Sequence, residues 1–276
     1  MTKKTAHMLA ICERNSANSK TDAEGREAPA QMSLWEDQFR AIPNAFARCP
    51  IFGLIPANTK MEDRILYNKT LLPSPKGFEM RYTGYQIGQP EGEIFMQIVN
   101  DAAGTTIRAD NEIYIDRAKL LRATDRNTSG ENYKWVGDVI HRLNNAHFDL
   151  RMQREAYSGN LILEVFERDK DMFITLSPTL ARLFAANQRT LIDWDKRMMI
   201  KRQVDLAKWL QTYIGSHEVG LQRSTITNLA AWSGYKSPVR KFRKALFVAV
   251  EELERVGIIA NAQPYKEDSM MKWTRL

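Results

Sequence analysis

Two cysteines, Cys12 and Cys49, are all that the 276 residues contain. That excludes a disulfide framework and a four-cysteine zinc site, and it suits a reducing compartment. No apolar run approaches the roughly 20 residues that a bilayer-spanning helix needs. The opening MTKKTAHMLAICERN has no long apolar core behind its lysines, so neither a membrane span nor a secretory leader is expected. Histidine is scarce as well. His7, His141, His147 and His217 are scattered, and none forms the close His-apolar-His metal pair that a nicking enzyme sets beside its nucleophilic tyrosine. The chain has no G-x-x-x-x-G-K-S/T phosphate loop and no G-x-S-x-G elbow, which removes the usual signatures of nucleotide hydrolysis and acyl transfer. The expectation is a protein that is not an enzyme and holds no cofactor or metal. Acid pairs such as Glu36-Asp37 and Glu251-Glu252 suggest solvated faces.

Apolar residues make up 43% of the chain, sufficient for packed cores, and the length suits two domains of about 100–200 residues each. The net charge is +7, from 40 Lys and Arg against 33 Asp and Glu. Its distribution is uneven. Positions 196–276 hold 15 basic and 7 acidic residues, a net of +8, while positions 1–195 net −1. A basic C-terminal domain on a near-neutral body is the electrostatic footprint of a densely anionic partner such as nucleic acid. A merely solubilising surface would give the same total.

Along the chain, residues 1–30 carry almost no large apolar side chains after Ile11. They cannot bury enough surface to offset ordering entropy, so a disordered tail is expected. The next segment, 31–90, brings in aromatic and aliphatic residues. Its stretch 49–90 holds Pro50, Pro56, Pro73, Pro75 and Pro90 among short runs such as FEMRYTGYQI, which suggests irregular structure and edge strands.

From Glu91 the pattern becomes regular. Ile94, Ile98 and Ala102 recur at helical spacing. NEIYID is a short strand ending at Asp116, a plausible cap for RAKLLRAT. In ENYKWVGDVIHRLNNA, Val136, Val139, Ile140 and Leu143 share one helical face. Alternating runs around Ser158-Gly159-Asn160 give a hairpin signal, and MFITL adds a strand. Helix, strand, helix, turn, helix, hairpin is the element order of a winged helix, here over 91–190. The order returns over 191–276, where Leu206, Trp209, Leu210 and Tyr213 form one face, STITNLAAWSG a capped helix and SPVRKFRKALFVAVEELERVG a long one. Two strands follow. The expected fold class is therefore α+β: tandem winged-helix domains behind a disordered N-terminal tail.

The long helix carries the clearest functional pattern. Ser237 is its expected cap, Pro238 its first turn and Gly257 its stop. Val239, Phe242, Leu246, Val250 and Leu253 form an apolar stripe. Ser237, Arg240, Lys241 and Lys244 lie opposite, with Lys236 just before the cap and Arg243 at the flank. Cations at the start and acids at the end oppose the helix dipole. The order makes sense when the first half lies in a DNA major groove, where phosphates supply negative charge and Arg or Lys reach guanine edges. The bland alternative is a solvated basic face. In the first domain Asn132, Tyr133 and Lys134 occupy the equivalent start, diluted by Asp138.

At the end of the tail, Gln31-Met32-Ser33-Leu34-Trp35 has the Gln, apolar, Ser, Leu, aromatic pattern of bacterial sliding-clamp ligands. In such a peptide Leu34 and Trp35 would enter an apolar pocket with the Gln31 amide at its rim. Alternatively, Leu34 and Trp35 staple onto the first domain.

QMSLWEDQFRAIPNAFARCPIF, RYTGYQI, LSPTLARLF and SPVRKFRKALFVAVEELERVGII together resemble the TrfA-type replication initiators of broad-host-range bacterial plasmids, from about Gln31 to the C-terminus. The resemblance implies tandem winged helices that bind directly repeated origin sequences (iterons) in double-stranded DNA and open the adjacent AT-rich duplex. It also implies recruitment of host DnaA, the replicative helicase and the β sliding clamp, dimers that dissociate to act, no nucleotide hydrolysis and a place in the bacterial cytoplasm. Clamp binding carries over onto Gln31, Met32, Ser33, Leu34 and Trp35, with Trp where Phe is usual, and DNA reading onto Ser237, Arg240, Lys241 and Lys244. A tandem winged-helix transcriptional regulator is the main alternative. A nicking enzyme and an RNA-binding scaffold are further ones.

Overall fold

The computed structural model describes residues 35–56, 58–103, 112–169, 171–185, 188–267 and 269–276. The tail expected over 1–30, and Gln31, Met32, Ser33 and Leu34, lie outside the described residues. The chain enters on β1 (Phe39–Pro43), α1 (Asn44–Ala47) and β2 (Phe52–Gly53), then β3 (Leu66–Leu72), β4 (Phe78–Tyr85) and β5 (Ile87–Gly88). Next come α2 (Gln89–Asp101), β6 (Ile113–Tyr114), α3 (Arg117–Ala123) and α4 (Gly130–Asn144), then β7 (His147–Met152), β8 (Ala156–Asn160), β9 (Glu164–Arg168) and β10 (Asp171–Thr175). A bridge of α5 (Pro178–Arg182), β11 (Arg189–Asp193) and α6 (Trp194–Met199) leads to α7 (Asp205–Gly215), β12 (Gly220–Thr225), α8 (Ile226–Trp232), α9 (Val239–Arg255), β13 (Ile259–Tyr265) and β14 (Met270–Arg275).

The helices form where apolar spacing and end signals agree. Helix α2 starts with Pro90 in its first turn, and the Glu91 carboxylate accepts the Gly88 N–H at 3.0 Å. Asp116 caps α3 by accepting the Lys119 N–H at 2.9 Å. Val136, Val139, Ile140 and Leu143 of α4 are fully buried, as are Trp209 and Leu210 of α7. Each stripe faces a core because residues three or four apart share a helix face.

One arrangement occurs twice. Helix, strand, two helices and hairpin appear as α2–β6–α3–α4–β9–β10 and again as α7–β12–α8–α9–β13–β14. In both three-stranded sheets the first strand pairs with the last, giving the orders β6-β10-β9 and β12-β14-β13. The first repeat alone inserts a hairpin, β7–β8, which joins the sheet β3-β4-β7-β8.

That insertion corrects the expected hairpin. Ser158, Gly159 and Asn160 lie inside β8, and the chain reverses at 153–155 instead. Cross-strand bonds hold the three residues extended: the Ser158 hydroxyl donates to Asp149 at 2.6 Å, and Asn160 meets the His147 ring at 2.8 Å. The segment over 49–90 is also more ordered than its prolines suggest. Strand β4 is a central strand with Met80 and Tyr82 buried, and Pro73 and Pro75 fall in the connection before it.

Two apolar cores divide between Trp194 and Ile200. The boundary expected at 190/191 falls inside β11, which pairs with β1 as a clasp. A buried polar cluster joins the repeats. The Glu93 carboxylate of α2 accepts from Arg197 Nε at 3.1 Å and Lys208 Nζ at 2.8 Å. Arg197, with no exposed surface, also donates to Gln89 at 2.9 Å, to the Lys208 carbonyl at 3.1 Å and to Gln211 at 3.3 Å. Two residues before Glu93, Glu91 meets Arg64 at 2.5 Å and Arg142 at 3.4 Å. Buried charges persist only when paired and hydrogen-bonded in this way.

Candidate nucleic-acid interface

The start of α9 is set by what precedes it. Gly234, at φ +74°, ends α8 in the left-handed region that favours glycine. The Tyr235 ring then packs edge-on against Phe242 with centroids 5.0 Å apart. Pro238 takes the cap position, at φ −53° and ψ 146°, and no side chain caps the first turn. Ser237 is therefore not the cap, because the helix begins one residue later than its sequence suggests. Phe242, Leu246, Ala249, Val250 and Leu253 form the buried stripe. Val239 is not part of it. It is 41% exposed, on a first turn that runs past the core.

Lys236, Ser237, Arg240, Lys241 and Lys244 are exposed around this turn, and Arg243 is half-buried at the flank. Among the described residues no Asp or Glu pairs with Lys236, Arg240, Lys241 or Lys244. The far end of α9 behaves differently. Glu252, only 4% exposed, accepts from Arg255 at 2.6 and 2.9 Å and from the Lys201 N–H at 2.8 Å. The Arg255 hydrogen bonds, then the Lys201 N–H, hold its pKa at about 2. Glu254 accepts the Ala262 N–H at 2.8 Å. The Glu251-Glu252 pair is thus half interior, because Glu252 turns in to tie α9 to the chain around Lys201. Packing accounts for Glu252 and Glu254 at the C-terminal end of the helix, but among the described residues no carboxylate pairs with the four cations at its start. An uncapped helix start with unneutralised Arg and Lys is suited to bind anions.

The second repeat's sheet adds to the basic surface. Arg223 on β12 and Lys272 on β14 are direct cross-strand partners. Together with Lys266 they surround the Tyr265 ring at 5.2, 5.5 and 5.8 Å. Sequence reading missed this cluster because its members lie on three strands and the turn after β13, and only the register brings them together.

The first repeat prepares the equivalent place otherwise. Ser129 caps α4, and the Asn132 side-chain amide donates to the Asn127 carbonyl at 3.0 Å and its side-chain oxygen at 2.6 Å. Tyr133 packs against the first core, and Arg126 stacks 4.1 Å over the Trp135 ring. Of the three residues expected to touch DNA here, Asn132 and Tyr133 are engaged within the protein and Lys134 faces solvent. Trp35 is docked too. Its indole N–H donates to Asn100 at 2.8 Å, its ring stacks on Phe184 with centroids 6.4 Å apart, and Arg189 lies 5.3 Å above it. Within the described part of QMSLW the structure therefore has the stapled arrangement.

The remaining chemistry is sparse. Among the described residues no three His, Cys, Asp or Glu side chains gather as a metal site. Burial pushes the Cys49 thiol up to about 12, which makes it a poor nucleophile. His141 pairs with Glu167 at 3.0 Å, and His217 meets the Tyr213 carbonyl at 2.7 Å. Among the described residues no helix is long and apolar enough to cross a membrane.

Comparison with known proteins adds a family and a fold. A family model described as "TrfA protein" matches residues 26–274. A crystal structure of the selenomethionine form of domains 2 and 3 of RctB superposes with a TM-score of 0.56 at 13% identity, covering 85% of this chain and 98% of that one. A second structure of RctB domains 2–3 gives a TM-score of 0.52 at 11% identity, covering 81% and 95%. At such identities the likeness concerns the fold alone. No curated protein matches the chain.

Proposed function

The chain belongs to the TrfA family, whose model spans residues 26–274, and from this premise we propose that it is a plasmid replication initiator acting in the bacterial cytoplasm. Its two repeats serve as tandem winged helices on double-stranded origin DNA. The second docks α9 in the major groove of an iteron, with Arg240, Lys241 and Lys244 reaching base edges and phosphates and Lys236 and Ser237 holding the backbone. Tyr265, Arg223, Lys266 and Lys272 follow the neighbouring phosphates. The observation that supports this reading most is the exposed cation group at the uncapped start of α9, which no carboxylate among the described residues pairs, while Glu252 and Glu254 at the other end of the same helix are bonded within the protein.

Binding through such cations releases counterions, so affinity falls with salt at a log–log slope of about −0.9 for each phosphate neutralised. The protein then favours opening of the adjacent AT-rich duplex and recruits host DnaA, helicase and clamp, without catalysis of its own. Footprinting tests the core of this reading. Purified protein on its own plasmid should protect short direct repeats and raise permanganate reactivity in a neighbouring AT-rich stretch. Protection of a single operator with no reactive thymines would make it a transcriptional regulator instead. Clamp binding requires Trp35 to leave Phe184 and Asn100. In a pull-down, Leu34→Ala with Trp35→Ala should lose the clamp and keep DNA; retention of the clamp by that double variant would remove the peptide from the mechanism.

A further inference from the structure

Outside the basic surface, the most unusual exposed feature is a row of aromatic rings on the outer face of the first repeat's sheet. Phe173 on β10 is in register with Tyr114 on β6 and with Phe166 on β9. The three rings stand side by side, with centroids 5.6 and 6.2 Å apart. Tyr114 is 57% exposed and Phe166 43%. Ile113, Val165 and Ile174, on the opposite side of the same strands, face the first core. The sheet is thus anchored without the outer rings, and the row adds nothing to the core. Contiguous exposed apolar surface of this kind marks an interaction site.

Two kinds of partner use rows of rings: nucleic-acid bases, which stack on them, and apolar protein anchors. The surrounding charge separates the two. Glu112, Glu164 and Asp171 are exposed beside the row, and among the described residues none of them pairs with Lys or Arg. Glu112 and Glu164 line one shallow cleft of about 430 Å³ with Phe166 and Phe173. Among the described residues the Asp171 carboxylate accepts a side-chain hydrogen bond from the Tyr114 hydroxyl alone, at 3.5 Å. Arg168 lies 5.3 Å over the Phe166 ring, which leaves the acids in excess. Phosphates entering here would meet carboxylates, whereas the matching face of the second repeat offers them Arg223, Lys266 and Lys272 around Tyr265.

We infer that the Tyr114–Phe173–Phe166 row is a docking surface for a protein segment that carries apolar anchors between Lys or Arg residues. The rings take the anchors, and Glu112, Glu164 and Asp171 meet the cations. Like charge at the rim excludes nucleic acid, so the two repeats present equivalent sheet faces to partners of opposite charge.

The test uses the full chain and two fluorescein-labelled twelve-residue peptides with the same Leu and Trp anchors, one flanked by Lys and the other by Glu. By anisotropy the Lys peptide should bind saturably and at least tenfold more tightly than its Glu twin. Tyr114→Ser with Phe166→Ser should weaken it tenfold or more, and Glu112→Lys with Glu164→Lys should abolish the preference for Lys. Both double variants change exposed side chains and should keep wild-type affinity for direct-repeat duplex, which reports on their folding separately. A Lys peptide that binds both double variants as well as the parent overturns the inference. So does oligothymidylate binding that the Ser variant abolishes, which would make the row a base-stacking platform. A dimer seen by sedimentation and lost in the Ser variant would overturn it as well, by making the occupant a second copy of this chain.

Discussion

In the first repeat, the helix before the hairpin opens with Ser129 capping, Glu131 in the first turn and Asn132 bonded back to Asn127. In the second, the corresponding helix opens at Pro238 with no side-chain cap, no acid in its first turn, and Arg240, Lys241 and Lys244 in solvent. One helix start is capped and bonded within the protein, and the other has no side-chain cap and no paired acid among the described residues. The sheet faces differ in the same sense, with carboxylates beside the rings of the first repeat and cations around Tyr265 in the second. A duplicated architecture therefore does not imply duplicated work. The same backbone supports a self-satisfied surface and an unsatisfied one, and the charge of a few exposed side chains decides which.

The largest expected effect concerns the join between the repeats. Arg197→Ala takes one of two cations from the buried Glu93 carboxylate and the shared donor from Gln89, Gln211 and the Lys208 carbonyl, which should cost about 3–5 kcal/mol. Urea unfolding followed by tryptophan fluorescence measures it, and two separate transitions would show that the repeats are independent once the join is cut. Next, Arg240→Ala should weaken direct-repeat binding by about 1–3 kcal/mol, roughly 5- to 150-fold. Lys134→Ala in the first repeat should change it several-fold less. Equal losses would erase the contrast between the two helix starts. Smaller again, Asn132→Ala should lower stability by about 1 kcal/mol by opening the turn into α4, with DNA affinity at moderate salt nearly unchanged.

The last effect is a pH dependence. The folded Glu252 pKa, about 2, lies below its ordinary value of 4.5. Its contribution is therefore complete above about pH 4.5 and disappears as pH falls from there towards 2. Glu252→Gln should be less stable than the parent at neutral pH, and the gap in urea midpoint should close on acidification. A gap that stays constant down to pH 2.5 would place the effect in packing instead of charge.

Helical faces were legible in the sequence because a 3.6-residue period is local. Val136, Val139, Ile140 and Leu143, or Phe242, Leu246, Val250 and Leu253, need no knowledge of the rest of the fold. Asp116 was legible as a cap for the same reason. Most misreadings involve groups outside the local stretch of chain. Ser158-Gly159-Asn160 has turn residues, but Asp149 and His147 on the facing strand hold it extended. Val239 fits the apolar period, but the core ends before it reaches that turn. Glu252 looked like half of a solvated acid pair until Lys201 and Arg255 closed on it.

What the sequence determined by itself was the succession of the main helices, the concentration of positive charge in the last third of the chain and the cationic flank of α9, since each depends only on neighbours along the chain. Tertiary structure decided which charges remain available. Glu93 and Arg197, 104 positions apart, neutralise one another in the interior, while Glu112, Glu164 and Arg240 stay in water. That choice depends on desolvation and register, which exist only once the chain has folded.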